Sequence, residues 1–439
     1  MDVHLARGTR DFLPAQMRHR LAVLATLRGV FERFGFEPLE TPALERIETL
    51  TGKYGDEGDK LFFRILERGE GGREGKADMG LRYDLTVPLA RVMAMHPEIR
   101  LPFRRYQMQP VWRGERPGRG RFREFWQCDV DIAGTTSPVA DAECLAVVAA
   151  SLEALKLPDY TIKLNDRRIL SSLAREAGAN DAASEMSVLI AVDKLDKIGR
   201  DGVAEELVRR GFGSEGVARL WGALDDAQER GLSAFLGREG RDGEGAATLR
   251  DVLAAADALG VSADKIKFDA TLARGLDYYT GPVFETVVNE AGVGSVSGGG
   301  RYDQLIGMFA GKAIPAVGVT VGIDRLFTVM EERAAQSEFE ASPDVLVAQF
   351  GAQTLDATLR TARAIRDAGI ATEVFTEPVK LANQLKHANA RKYRFVVIVG
   401  PDEAARGVVT LRRLSTGDQV QVPVEQAIAS IRLALPSLA

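Results

Sequence analysis

RFREFWQCDVD (121–131) is the stretch whose reading decides the fold. Apolar and aromatic residues alternate in it with polar ones, which is the period-2 signature of a strand. Its odd positions put Arg121, Arg123, Gln127, Asp129 and Asp131 on one face. Guanidinium, amide and carboxylate groups together make a poor core surface and a good floor for a small zwitterionic ligand. Upstream, YQMQPVWRGE (106–115) reads as a second strand, and the prolines and glycines of ERPGRGR (115–121) read as a mobile hairpin loop between the two. On an extended strand Arg113 and Glu115 share a face, and the returning strand brings Gln127 and Asp131 nearby. An arginine pointing out of a sheet can clamp a phosphate or carboxylate bidentately. Taken alone, Arg113 reads as a surface ion pair with Glu115. The basic loop joining the same two strands shifts that reading toward a nucleotide site beside a nucleic-acid end.

Working outward, residues 17–34 have helical periodicity, with Leu21, Leu24, Leu27 and Val30 along one face, and Gly35 ends the helix. FEPLETPAL (36–44) follows as an extended segment. LRYDLTVPLAR (81–91) reads as a strand before Pro88 that places Asp84 and Thr86 on one face, with Leu85 between them. A carboxylate beside a hydroxyl can hold an ammonium group by a charge-assisted hydrogen bond, although strand-edge solvation is the reading such a pair receives in isolation. Alanine, glutamate and arginine dominate residues about 170–260, where Met186, Leu189, Ile190 and Val192 suggest helices inserted into a larger domain. Strand patterns resume at Lys267. ARGLDYYTGPVFE (273–285) gathers Arg274, Asp277, Tyr278 and Tyr279, and GVTVGIDRLF (318–327) reads as a strand ending at Gly322 with Arg325 in the first turn of the next helix, where backbone N–H groups favour anions.

A polar linker spans 333–343, dividing a domain at 1–332 from one at 344–439. The second alternates strand and helix from DVLVAQF to YRFVVIVG and closes with a hairpin and a last helix, which implies a mixed α/β domain with parallel strands. The class is therefore α/β, with an α+β first domain. At 439 residues, 45% hydrophobic and 27% charged, the chain is ordinary for a multidomain globular protein. A net charge of −5 means that any nucleic-acid contact must rest on local basic patches. Cys128 and Cys144 cannot build a disulfide framework, and the four histidines lack metal-ligand spacing, so no protein-held metal is expected. No apolar run spans a bilayer, and no signal core opens the chain, which points to the cytoplasm without a membrane partner.

These motifs resemble those of the histidyl-tRNA synthetase family. FGFEPLETPAL (34–44), the Arg113–Glu115 strand with its loop, and GVTVGIDRLF resemble the three signature motifs of class II aminoacyl-tRNA synthetases, whose antiparallel sheet, flanked by helices, holds ATP. ARGLDYYTG and SVSGGGRYDQLI (295–306) resemble the two histidine-specific signatures, and the opening RGTRDFLP matches the family start. The resemblance implies a homodimer with Pro42 at its interface. Arg113, Glu115, Arg121 and Arg325 would take ATP with Mg²⁺. Asp84, Leu85, Thr86, Arg113, Gln127, Asp131, Arg274, Tyr278 and Tyr279 would take histidine. Arg274 would supply a fixed positive charge at the α-phosphate, with Arg113 as the second catalytic arginine. The triple glycine 298–300 would let the backbone approach the ring closely. Arg7, Arg116 and Arg119 would meet tRNA(His) at its acceptor end. Lys386 and Arg391, in the basic run of a C-terminal anticodon-binding domain, would meet it elsewhere.

The activity implied is histidine–tRNA ligation through histidyl-adenylate. One rival is the synthetase-like regulatory subunit of ATP phosphoribosyltransferase, which binds histidine but charges no tRNA. Such paralogues typically lack the anticodon domain and the active-site arginine, so Arg274 and residues 344–439 weigh against it. A class II enzyme for another amino acid is the other rival, and ARGLDYYTG weighs against that.

Overall fold

The structure, a computed structural model, describes residues 3–51, 61–273, 278–289, 292–333 and 344–435. They form two compact units, one built on residues up to 11 and from 20 to 333, the other on 12–19 and 344–435. Strands of the first unit are β1 (Glu37–Pro38), β2 (Leu44–Arg46), β3 (Arg64–Leu66), β4 (Ala77–Leu81), β5 (Phe103–Trp112), β6 (Glu124–Ala133), β7 (Tyr160–Asp166), β8 (Ile266–Phe268), β9 (Pro282–Val288), β10 (Ser295–Arg301) and β11 (Ala316–Gly322). Eight of them make one sheet in the order β1-β5-β6-β11-β10-β9-β7-β8, and β2-β4-β3 make a small second sheet. The large sheet is antiparallel except at its two edges, where β1 runs parallel to β5 and β8 to β7.

Strand β6 shows how sequence becomes position. Its even residues Cys128, Val130 and Ile132 are buried in the main hydrophobic core, beneath the helix Pro138–Ala154. Period 2 then sends Gln127, Asp129 and Asp131 to the opposite face. The strand begins only at Glu124, so Arg121 and Arg123 precede it and do not belong to that face. The loop read as mobile is closed at its tip, where Gly118 and Arg121 exchange backbone hydrogen bonds of 2.9 Å.

Two other expectations change. LRYDLTVPLAR is not a strand to Pro88: β4 ends at Leu81, and a helix Thr86–Met95 begins where the proline stood as a breaker. Pro88 sits in the first turn, where backbone N–H groups have no intrahelical partner to lose. Asp84 accepts from the Val87 N–H at 3.1 Å, so Asp84 and Thr86 belong to a turn and a helix start rather than to one strand face. In the helix Pro14–Arg33, Leu24, Leu27 and Val30 are buried with Val23 and Phe31, but Leu21 is 53% exposed. The true stripe follows 3- and 4-residue steps from Val23.

Between β7 and β8 lie five helices: Arg167–Glu176, Ala182–Val192, Leu195–Arg209, Ser214–Arg230 and Arg241–Ala258. The second of these buries Val188, Leu189, Ala191 and Val192, with Met186 and Ile190 only half-buried. The second unit holds β12 (Val345–Ala348), β13 (Thr372–Val374), β14 (Phe395–Ile398), β15 (Val409–Arg413) and β16 (Gln419–Val422), in the order β13-β12-β14-β15-β16. β12 is parallel to both its neighbours, and β14, β15 and β16 form an antiparallel meander. Both faces of β12 and β14 are covered: Val345, Val347 and Val397 join one core, Leu346, Val396 and Ile398 another. Among the described residues no helix is long and apolar enough to cross a membrane. Both cysteines are buried free thiols, pushed well above the ordinary thiol range by burial.

One buried ion pair fastens the end of β10 to the helix Pro138–Ala154. Arg301, 5% exposed, donates to both carboxylate oxygens of the fully buried Asp141 and to the Thr135 carbonyl at 2.8 Å. Asp141→Ala should destabilise the first unit by about 3 kcal/mol, the low end for breaking a buried ion pair, since Asp303, 3.4 Å from Arg301, keeps part of the charge paired. Trp112, Trp126 and Trp221 all lie in this unit, so urea unfolding followed by tryptophan fluorescence reads it directly. A midpoint equal to wild type would contradict the assignment.

Candidate functional site

The polar face of β6 is one stripe of a cavity of about 390 Å³ in the first unit. Cross-strand register arranges it in rows. Arg105 on β5 stands opposite Asp131, Gln107 opposite Asp129, and Gln109 opposite Gln127. On the other flank β11 sets Gly318 beside Asp131, Thr320 beside Asp129 and Gly322 beside Gln127. A further strand over, Gly300 pairs with Gly318 and Gly298 with Thr320. Glycine on two strands beside Asp131 leaves room for that carboxylate and for close backbone packing.

Gly318 is required there. A Cβ would lie 2.0 Å from Asp131 Oδ1 and 3.0 Å from the Val130 carbonyl. The triple glycine 298–300 divides in role. Gly298 lines the cavity, whereas a Cβ on Gly299 would meet the Gly318 carbonyl at 2.2 Å and one on Gly300 the Pro282 carbonyl at 2.8 Å. Two of the three are therefore demanded by neighbouring strands, not by a ligand.

Charge is sorted along the cavity. At the β5–β6 hairpin end Arg113, Arg121 and Arg325 line the wall, with Glu115. Arg113 Nε donates to the Tyr83 carbonyl at 2.8 Å, and its guanidinium lies 5.2 Å from the Phe125 ring centroid. Glu115 pairs with Arg121 at 3.2 Å rather than with Arg113. Arg325, in the first turn of the helix Ile323–Arg333, donates to the carbonyl and hydroxyl of Ser295.

The far end is acidic. Asp84, Asp129 and Asp131 line it with Thr86, Tyr278, Tyr279 and Tyr302. Burial pushes both Asp129 and Asp131 above the ordinary carboxylate range, and the Arg105 guanidinium opposes that rise. Tyr302 donates to Asp131 Oδ1, and Thr320 donates to Asp129 while accepting from Gln127 Nε2 at 2.9 Å. Asp131 Oδ2 lies 2.7 Å from Arg105 Nη2 as an ion pair but receives no hydrogen bond among the described residues. Gln127 Oε1 and Ser297 Oγ are also buried without a partner among those residues. Tyr278 and Tyr279 pack with their rings tilted by 51°, centroids 4.4 Å apart and hydroxyls 3.2 Å apart, with Tyr302 edge-on to Tyr278 at 6.0 Å.

Not every expected residue is on the cavity wall. Leu85 is fully buried and off the cavity wall; its carbonyl accepts from Arg105 at 3.2 Å. Arg274 lies outside the described residues. Arg7 is exposed, and its carbonyl accepts from Arg123 at 3.5 Å. Arg116 and Arg119 are exposed on the hairpin loop, and Lys386 and Arg391 are exposed on the second unit, Arg391 lying 3.8 Å from Glu373. Among the described residues no group of three or more His, Cys, Asp or Glu side chains could hold a metal ion.

Sequence reasoning passed over Arg105, Tyr302 and Asp324. The same alternation that flagged β6 runs through FRRYQMQPVW, putting Arg105, Gln107 and Gln109 on one face. Asp324 ties three segments together: Arg10 and Arg20 reach its Oδ1 at 2.5 and 2.9 Å, and Oδ2 accepts from the Trp126 N–H at 2.8 Å. Gly8 packs on the hairpin loop with φ of +86°, and a Cβ there would lie 2.8 Å from Pro117. The opening RGTR, through Gly8 and Arg10, thus braces the basic wall.

A family model described as histidyl-tRNA synthetase matches residues 8–326, and one described as an anticodon binding domain matches residues 344–433. The histidine–tRNA ligase of Gloeobacter violaceus is 41% identical, covering 96% of each chain, and that of Cytophaga hutchinsonii 39%, covering 97% of this chain and 98% of its own. The crystal structure of a histidyl-tRNA synthetase from Nostoc superposes with a TM-score of 0.82 at 31% identity, over 99% of this chain and 100% of that one. A Bacillus halodurans structure described as an ATP phosphoribosyltransferase regulatory subunit/histidyl-tRNA synthetase shares the fold, at 22% identity and a TM-score of 0.73 over 90% of this chain and 97% of that one. With similarity running through both units and into the motifs that line the cavity, the chain belongs to the histidyl-tRNA synthetase family of class II aminoacyl-tRNA synthetases.

Proposed function

We propose that the chain is a histidine–tRNA ligase whose cavity takes histidine at its acidic end and ATP at its basic end. The observation that carries this reading is the charge sorting: the lining arginines Arg113, Arg121 and Arg325 all stand at one end, with Glu115 and Asp324 among them, while Asp84, Asp129 and Asp131 line the other with no arginine on the wall among the described residues. A polyanion beside a ligand rich in N–H donors satisfies both ends at once.

In this reading Asp84 and Thr86 hold the α-ammonium, and Asp131 accepts from an imidazole N–H between the tyrosines. A histidine carboxylate oxygen attacks the ATP α-phosphorus, the bond to the β-phosphate bridging oxygen breaks, and pyrophosphate leaves with that electron pair. Arg113, Arg121 and Arg325 orient the phosphates, with Arg274 as the proposed charge at the α-phosphate. Mg²⁺ would enter with ATP as part of the substrate, Glu115 being the carboxylate beside those arginines. A ribose hydroxyl of the tRNA(His) terminal adenosine then attacks the activated carbonyl and releases AMP. Arg7, Arg116 and Arg119 would face the acceptor end, and Lys386 and Arg391 the RNA phosphates bound by the second unit. The reading includes a cytosolic homodimer with Pro42 at its interface, and a domain organisation of 1–332, linker and 344–439.

Amino-acid-dependent ATP–pyrophosphate exchange tests it: histidine alone among the standard amino acids should support exchange, and purified tRNA(His) should then be charged. Histidine binding without exchange would favour the regulatory-subunit reading. Gly318→Ala examines the pocket itself. Its methyl must displace the Asp131 carboxylate, and leaving a buried polar group mispaired costs about 1–3 kcal/mol, so the histidine KM should rise roughly ten- to hundredfold. The ATP KM should change little. An unchanged histidine KM would remove Asp131 from recognition.

A further inference from the structure

Behind the acidic end of the cavity sits a cation that never reaches it. Arg105 is fully buried and is not part of the cavity wall. Its Nη2 lies 2.7 Å from Asp131 Oδ2 and 4.0 Å from Asp129 Oδ2, so a single guanidinium serves two buried carboxylates. The same Nη2 donates to the Leu85 carbonyl at 3.2 Å, in the turn that carries Asp84 and Thr86. Nη1 donates to Gln107 Oε1 at 3.1 Å, and Gln107 is held in turn by Thr41 Oγ1 at 2.8 Å. Nε has no hydrogen-bond partner among the described residues, so the fold retains this side chain at some cost.

These contacts join two parts of the chain that are remote in sequence. One is the turn 84–86, read as the seat of the ammonium group. The other is Asp131 on β6, read as the acceptor for the ring. We propose that Arg105 is a positioning residue that fixes the spacing between the two ends of the amino-acid site and keeps the ring-facing carboxylate ionised. The proposal rests on the histidine-activating reading and deepens it. Discrimination by a polar pocket depends on buried partners standing where the right ligand can satisfy all of them. A carboxylate that drifts, or takes up a proton, accepts from an imidazole no longer.

The groups facing Asp131 and Asp129 come from every surrounding element. They are Arg105 on β5, Gly318 and Thr320 on β11, Tyr302 after β10, and Asp84 before the helix Thr86–Met95. Among the described residues, Arg105 is the only cation acting on the pair. Burial raises the proton affinity of both acids, and at Asp129 the Asp131 and Asp84 carboxylates add to the rise; the Arg105 guanidinium is the largest opposing influence at both, helped by the hydrogen bonds from Tyr302 to Asp131 and from Thr320 to Asp129.

Two variants in the full-length protein test this. Arg105→Lys retains the charge but not the planar fork that spans Asp131 and the Leu85 carbonyl. Arg105→Met removes the charge with the stem retained. Histidine and ATP KM are read from pyrophosphate exchange, with tryptophan fluorescence melts reporting folding. For Arg105→Lys the histidine KM should rise by roughly 100-fold, the effect of misplacing a contacting group by about an ångström, while the ATP KM stays within about threefold of wild type. Arg105→Met should rise further. Its histidine KM should fall as pH is raised and Asp131, without the opposing guanidinium, loses its proton, and this pH dependence should be steeper than that of the wild type. Should Arg105→Met fail to fold, Arg105→Lys decides alone: a wild-type histidine KM in that variant overturns the proposal, as does a lowered melting temperature with an unchanged KM. If wild-type protein shows no histidine-dependent exchange, the functional reading fails instead.

Discussion

Carboxylates carried to the inner face of a sheet must be neutralised or saturated with donors, or they will protonate. That constraint shapes the acidic end of this cavity. Asp129 and Asp131 sit side by side on β6 at 2–3% exposure, and Arg105, Tyr302 and Thr320 are arranged to receive them. The arrangement exists only because three strands meet in one register. Shifting β5 by a single residue against β6 would turn Arg105 to the apolar face and bring Arg104 and Tyr106, with their own partners lost, beside the acids. Register is therefore a functional quantity in this sheet.

The basic end depends on a second convergence. Asp324 opens the helix that carries Arg325 and is gripped by Arg10, Arg20 and the Trp126 N–H. Arg20 lies 5.3 Å from both the Trp126 and Phe327 ring centroids, so its charge is spent inside the fold and not on a ligand. The opening segment, the hairpin strand and the helix after β11 thus meet at one carboxylate. Arg113 and Arg325 remain on the wall, each with one guanidinium N–H group tied to a backbone carbonyl. Orienting a phosphate chain requires cations whose positions are set before the ligand arrives.

The mixed α/β class was legible because β6 and the strand–helix alternation after residue 344 carry clear periods. Gln127, Asp129 and Asp131 could be put on one face from spacing alone. Arg105 could not be matched to Asp131, because the length of the hairpin loop and the strand start at Glu124 set the register, and neither is written in the alternation itself. Tyr302 was hidden by its context, GGGRYD, where glycines suppress the strand signal. Asp84 and Thr86 were placed on a strand because Pro88 looked like a terminator; a proline in a first helical turn breaks nothing. Leu21 was assigned to the buried stripe since periodicity fixes a face but not how wide a band the core covers. Arg274 was singled out by family resemblance, and its segment 274–277 falls outside the described residues.

If the acidic end recognises a ring N–H through a buried, positioned carboxylate, a ligand of the same shape without that group must leave Asp131 unpaired. Calorimetric titration of the wild-type protein with histidine and with β-(2-thienyl)alanine, a five-membered-ring isostere lacking any ring N–H, puts this to the test most directly. Sites built around buried hydrogen-bonding partners reject ligands lacking them by roughly 10⁴-fold or more, so histidine should bind and the isostere should not bind measurably. Affinities within about tenfold of each other would contradict the account, because the pocket would then be reading size and not the hydrogen bond.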